Sequence, residues 1–280
     1  MTIQKQETGA QERYALVAGY RTHYVVAGDG PPILLVHGVG GSLVTYRRNI
    51  DALATVGRVY ALDLPGHGLS EIVAGEYSAE RGGAFLCAFI EAVIGAPAAL
   101  VGVSAGGLMS IIAASERPEL VTRLVLVDSA GFGRDVAWKL RLLTLPFADR
   151  LLRTASLQQV QSALQRHVHD PATDLAEVAD AQYQQWQQPD TRRALLNALR
   201  SNISLFGVRR WRRHLHRASV LALPVLIVWG QNDRTLNVQH AYRAAQSIAG
   251  ARLAIFDRCG HMPPSERPAE FNGVLCEFLA

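Results

Sequence analysis

Cysteine is scarce: three in 280 residues, with Cys87, Cys259 and Cys276 scattered and odd in number. That pattern argues against a disulfide framework and lacks the paired spacing of a zinc site. No stretch approaches the roughly 20 consecutive apolar residues of a membrane-spanning helix. The start, Met1 to Gln11, is polar and has no apolar leader core, so a reducing, cytoplasmic location is expected. There is no internal repeat, low-complexity tract or recognised nucleic-acid-binding motif. With a net charge of only +4, no nucleic-acid partner is expected. His167 and His169 have no ligand-rich neighbourhood, so no metal is expected either.

What is present is enough apolar material for a large core: 49% hydrophobic against 19% charged residues. Short β-rich runs recur at Pro32 to Val36, Arg58 to Leu62, Ala98 to Val103, Arg123 to Val127, Val225 to Trp229 and Arg252 to Phe256. Near-continuous apolar runs of this kind suit parallel strands covered on both faces. Helical patterns separate them at Val44 to Ala54, Ala79 to Ile94, Gly107 to Glu116 and Val238 to Ile248. Upstream, Tyr14 to Val17 and Arg21 to Val26 flank Ala18-Gly19-Tyr20 and read as an edge hairpin. The prediction is an α/β fold with an eight-stranded, mostly parallel, doubly wound sheet.

The alternation stops between Arg134 and Leu223. No convincing strand appears there, and four or five amphipathic helices are expected, with breaks near Pro146, Pro171 and Pro189. From Arg134 to Arg217 there are 14 Lys/Arg against 7 Asp/Glu, which separates this segment from its flanks. An insertion between two strands emerges at one end of the sheet, and the carboxyl ends are where open α/β sheets hold ligands. Residues 134–220 are therefore read as a helical cap on a core formed by 1–133 and 221–280.

Gly102-Val103-Ser104-Ala105-Gly106 lies between an apolar strand and a helical stretch. A serine between glycines at such a junction is forced out on a tight turn, where a neighbouring Cβ would clash. Ser104 is the candidate nucleophile. A hydroxyl needs a base, and His261, in Asp257-Arg258-Cys259-Gly260-His261-Met262-Pro263 after the last strand, has the best setting of the nine histidines. The base needs an orienting acid. Asp233, after the strand ending at Trp229, and Asp128, in Val127-Asp128-Ser129, both qualify, whereas Asp63 precedes the serine and fits worse. The turn His37-Gly38-Val39-Gly40-Gly41-Ser42 can aim backbone N–H groups at an oxyanion.

Together with Asp63-Leu64-Pro65-Gly66-His67-Gly68-Leu69-Ser70, these motifs make the chain resemble the α/β-hydrolase superfamily from about Tyr14 to Ala280. The resemblance implies Ser104 as nucleophile, His261 as base and Asp233 as acid, with the N–H groups of Val39 and Ala105 forming the oxyanion hole. Asp128 stays a minor candidate for the acid, and Asp63 and His67 are expected to be architectural. Serine at the elbow disfavours the relatives that attack carbon with an aspartate. A cofactor-independent hydrolase acting on a small acyl substrate, a carboxylic ester first, is therefore expected. The alternative is a hydrolase of carbon–carbon bonds in ring-fission dienoates. That group usually has tryptophan after the catalytic histidine, where Met262 stands, and proline in the oxyanion turn, where Gly40-Gly41 stand. A non-catalytic ligand receptor is a third reading, and a cofactor-independent oxygenase a fourth. In the segment Arg209-Arg210-Trp211-Arg212-Arg213-His214, a solvated helix face with Trp211 turned inward is expected.

Overall fold

Apolar runs with no polar alternation need cover on both faces, and the computed structural model shows how it is supplied. It describes residues 9–73, 75 and 77–280; positions 1–8 of the polar start lie outside the described residues. The strands are β1 (Gln11–Val17), β2 (Tyr20–Ala27), β3 (Pro32–Val36), β4 (Arg58–Leu62), β5 (Ala98–Val103), β6 (Val121–Val127), β7 (Ile203–Ser204), β8 (Gly207–Val208), β9 (Val225–Gly230) and β10 (Arg252–Phe256). Eight of them form one sheet in the order β1-β2-β4-β3-β5-β6-β9-β10. β2 runs antiparallel to both its neighbours, and the sheet from β4 across to β10 is parallel throughout. The doubly wound sheet and its edge hairpin are as expected from the sequence.

The helices are α1 (Ile50–Leu53), α2 (Ala79–Phe89), α3 (Ala105–Glu116), α4 (Trp138–Leu142), α5 (Ala148–Arg153), α6 (Leu157–Gln165), α7 (Ala176–Gln187), α8 (Pro189–Asn202), α9 (Trp211–Ser219), α10 (Gln239–Ser247), α11 (Pro263–Glu266) and α12 (Pro268–Leu279). Successive strand residues point to opposite faces, which divides the core in two. Leu34, Val36, Leu100, Leu124, Leu126 and Ile227 pack with Phe85, Phe89 and Ile111 from α2 and α3. Ile33, Leu35, Val101, Val125, Val127 and Val228 pack with Leu53, Phe271, Leu275 and Phe278 from α1 and α12.

Some expectations need correction. The stretch Val44 to Ala54 is a 3-10 turn at Leu43–Tyr46 followed by the short α1. Between β6 and β9 the chain forms six helices, not four or five, and the small antiparallel pair β7–β8 where no strand was expected. Gly207 there has φ +110, a turn conformation that needs glycine. The C-terminal pair α11–α12 was not foreseen, although Pro263 and Pro268 each stand at a helix start, the position where proline's missing N–H costs nothing.

Helix α7 and the turn before it lie against the loop that follows the carboxyl end of β3. Gln182 and Gln185 of α7 donate from their side-chain amides to Gly40 O and Gly41 O at 3.3 Å each. Glu177 and Asp174 pair with Arg47 at 2.6 and 3.6 Å. Among the described residues, no helix is long and apolar enough to cross a membrane.

Candidate active site

Ser104 follows β5 directly, with φ 55 and ψ −116, outside the regions where a residue bearing Cβ relaxes. Its neighbours over-determine that strain. The Ser104 N–H donates to Val127 O at 2.9 Å, while its carbonyl accepts from Leu108 N at 3.3 Å and Ala130 N at 3.0 Å. The elbow glycines have no room for a side chain. A Cβ on Gly102 would stand 2.6 Å from the Gly106 carbonyl, one on Gly106 2.4 Å from Val36 O, and one on Gly107 2.3 Å from Ser129 Oγ.

The glycine-rich turn after β3 lies against this serine. A Cβ on Gly38 would come within 3.1 Å of Ser104 Cβ and 3.6 Å of its Oγ. His37, fully buried, holds the turn: Nδ1–H donates to Gly38 O at 2.7 Å and Nε2 accepts from Leu64 N at 3.0 Å. Burial keeps its pKa below the ordinary histidine value, in keeping with a neutral ring that uses one donor and one acceptor. Val39 and Ala105, the two N–H candidates, are half-buried on either side of this junction.

Asp233 and His261 are brought together, with Nδ1 donating to Oδ2 at 2.7 Å. The other oxygen of Asp233 accepts from Thr235 N at 2.6 Å and Leu236 N at 3.0 Å, so this buried carboxylate is saturated with N–H donors. Asp128, at the end of the neighbouring strand with φ 40, accepts from Gly230 N at 2.9 Å and makes no bond to the histidine. Its second oxygen is buried, receives no N–H donor and faces the Asp233 carboxylate. Burial first, and then the adjacent Asp233 carboxylate, hold Asp128 well above the usual carboxylate range, so it stands as a neutral acid. Side-chain ligand atoms of Asp128, Asp233 and His261 lie within 4.8 Å of one another. Asp233 accepts from the N–H groups of Thr235, Leu236 and His261, a pattern suited to orienting an imidazole.

Asp63 is architectural as expected: it accepts from His23 Nδ1, Leu69 N and Leu43 N at 2.7, 2.9 and 2.8 Å. His67 is buried, with its pKa pushed down by burial to about 4. Burial pushes the Cys259 thiol up, so it offers no thiolate beside His261.

The residues that frame the histidine were given no site role from the sequence, where His167 and His169 were weighed only as metal ligands. The His261 N–H donates to His167 O at 2.7 Å, and His167 Nδ1 lies 2.6 Å from Thr235 Oγ1, two residues from Asp233. Glu266 accepts from Gly260 N, Met262 N and His169 N at 2.8, 2.9 and 2.7 Å. His167 and His169 belong to the insertion, so the insertion itself seats the His261 loop. Pairing of segments so distant in sequence leaves no local signal.

The same fold recurs in known proteins. The family profile described as alpha/beta hydrolase fold matches residues 31–268. An uncharacterized protein of Mycobacterium tuberculosis is 31% identical over 281 residues, covering 95% of this chain and 80% of that protein. The 2-hydroxy-6-oxo-6-phenylhexa-2,4-dienoate hydrolase of Comamonas testosteroni is 26% identical, with 94% and 92% covered. Among solved structures, a meta-cleavage product hydrolase from Pseudomonas fluorescens IP01 superposes with a TM-score of 0.80 at 26% identity, covering 97% of each chain. The chain belongs to the α/β-hydrolase-fold family.

Proposed function

We propose that the protein is a cofactor-independent serine hydrolase with Ser104 as nucleophile, His261 as general base and Asp233 as orienting acid. The observation that carries this reading is the 2.7 Å bond from His261 Nδ1 to a buried, N–H-saturated Asp233. It commits Nδ1 to donation and leaves Nε2 as the proton acceptor. In the first half-reaction His261 Nε2 takes the Ser104 proton as Oγ bonds to the acyl carbon. The N–H groups of Val39 and Ala105 receive the charge that develops on the carbonyl oxygen. His261 then returns the proton to the leaving group as its bond to carbon breaks. Water repeats the sequence on the acyl-enzyme, releasing the acid and free Ser104. Residues 134–220 act as the cap over a core of 1–133 and 221–280, and their contacts with Gly40, Gly41 and His261 support that role.

Carboxylic esters are the substrate class assigned first. Met262 and Gly40-Gly41 stand where carbon–carbon hydrolases commonly carry tryptophan and proline. A second reading, hydrolysis of 2-hydroxy-6-oxo-dienoates, is favoured by one observation: similar proteins matched along more than nine-tenths of their length carry that name. The test is a fluorophosphonate label followed by turnover of p-nitrophenyl esters of rising chain length and of one coloured dienoate. Labelling of the parent and not of Ser104→Ala is expected, with ester turnover lost in the variant and its fold intact. A folded parent that does not label would point to a ligand receptor, and bleaching of the dienoate with weak ester turnover would select the second reading.

A further inference from the structure

Isolated exposed apolar side chains are ordinary, but five large ones cluster on this insertion. Trp138, Phe147 and Phe206 are 64, 62 and 74% exposed, and Leu142 and Leu205 are exposed as well. Two chain segments carry them, and these meet at one backbone group: Val208 N donates to Arg134 O at 2.9 Å. Phe206 is two residues from Val208 and Trp138 four from Arg134, so chain geometry alone keeps their Cα atoms within about 30 Å. Leu142 lies one helical turn beyond Trp138 on the same face of α4. Arg200, in the last turn of α8 before β7, closes the other end, donating to Thr144 O and Leu145 O at 3.2 and 3.0 Å.

The charge around these tips is of one sign. Segments 134–153 and 189–217 hold 13 Lys/Arg against 3 Asp/Glu, while 154–188 holds 1 against 4. Each of the three acids is already occupied: Asp135 by Arg141, Asp149 by Arg192 and Asp190 by Arg193. Among the described residues, Arg134, Lys139, Arg150, Arg153, Arg212 and Arg213 have no acidic partner. A second copy of this chain would set like charge against like charge. A nucleic acid offers no hydrocarbon for Leu142 and Leu205. Phosphate headgroups above acyl chains supply both complements, and 26 of the 28 cationic residues are arginines, whose planar fork binds phosphate bidentately.

We propose that this face of the insertion docks on an anionic lipid bilayer, with the apolar tips entering the headgroup–acyl boundary and the arginines on the phosphates. Docking would turn the carboxyl edge of the sheet toward the lipid, because Ala137, next to Trp138, donates its N–H to Thr235 O at 2.9 Å beside Asp233. The docking does not depend on the hydrolase reading; only the delivery of a bilayer-dissolved acyl substrate to Ser104 rests on it.

The experiment is sedimentation of the full chain with vesicles of phosphatidylcholine alone and of equimolar phosphatidylcholine and phosphatidylglycerol, at about 0.1 M and about 1 M salt. Binding to the anionic vesicles only, weakened at the higher salt, is expected. The double variant Trp138→Ser/Phe206→Ser should lower partitioning at least about tenfold, and Arg209→Gln/Arg213→Gln by roughly thirtyfold. Both pairs are exposed, and unchanged thermal midpoints check their folding. Failure to bind either vesicle overturns the proposal. So does loss of binding in the arginine pair alone with the apolar pair unaffected, which would mean adsorption without insertion. A dimer that the Trp138→Ser/Phe206→Ser change dissociates in light scattering would assign the face to a second copy instead. None of these readouts uses catalysis, so failure of the serine hydrolase reading would register separately.

Discussion

Asp128 and Asp233 end neighbouring strands, and their hydrogen-bond surroundings differ. Asp233 collects three N–H bonds, two from the backbone and one from His261. Asp128 has one, from Gly230, and its other oxygen is buried beside the Asp233 carboxylate, so burial first and then that charge hold Asp128 protonated. The two therefore respond oppositely to the same substitution. Asp233→Asn removes the charge that orients and stabilises the imidazolium and should lower kcat by about three to four powers of ten. Asp128→Asn exchanges one neutral group for another of the same shape and should leave kcat within a few-fold. Asp128→Ala instead strands the Gly230 N–H and should cost about 1–3 kcal/mol in urea denaturation. Steady-state ester kinetics on the three variants check this, and a larger kcat loss in Asp128→Asn than in Asp233→Asn would reverse the acid assignment. Both aspartates were legible in the sequence as strand-end carboxylates. Taken alone, the residues did not say which one meets the histidine, and only the family resemblance implied Asp233, because the pairing depends on the path of the His261 loop, fixed by Glu266 and by the backbone of His167.

The elbow shows how one element couples local strain to packing. Its strand–turn–helix context was readable because glycine spacing and apolar runs are short-range signals. The crowding at Gly102 comes from Gly106 and Gly107 within the elbow, but that at Gly106 comes from the end of β3 and that at Gly107 from Ser129 just after β6, both remote in sequence. Gly106→Ala would drive a methyl to 2.4 Å from Val36 O and 2.5 Å from His37 O, both backbone atoms that cannot move aside cheaply. A loss of about 3 kcal/mol or more is expected, the range of severe overpacking. Gly273, exposed on α12 with nothing within 4 Å of an added methyl, is the control; Gly273→Ala should gain about 0.5–1 kcal/mol from helix propensity. Urea midpoints separate the two, and equal effects would mean that backbone entropy and not contact dominates at the elbow. Helix α12 also explains one gap in the sequence reading: its apolar residues Phe271, Leu275, Phe278 and Leu279 were a helical stripe masked by the prolines just before it.

At the scale of the whole molecule, the sequence located the insertion but not its grip on the site, because alternating periodicity stops locally whereas the contacts from His167 and His169 span the chain. The same long-range burial sets how the fold responds to acid. His37, His67, His167, His214 and His240 all have native pKa values pushed below the ordinary 6.5 chiefly by burial, His67 and His167 to about 4. The unfolded chain therefore binds more protons than the native one below pH 6.5. Stability is complete above that pH and is lost as pH falls from 6.5 through about 4, by roughly 3 kcal/mol for His67 alone. Asp128 works in the opposite sense, since its raised pKa lets the native chain keep a proton that the unfolded chain releases above the carboxylate range. One such group against five imidazoles leaves a net loss on acidification. Urea midpoints should fall steadily between about pH 7 and about pH 4.5. In His67→Asn the amide can reproduce the bond from Nδ1 to Pro65 O, 3.1 Å in the parent, without titrating, so this variant should show a shallower slope by one proton. A flat midpoint across that range would mean these rings are not held neutral by the fold, and with them would go the neutral His37 that fixes the turn beside Ser104.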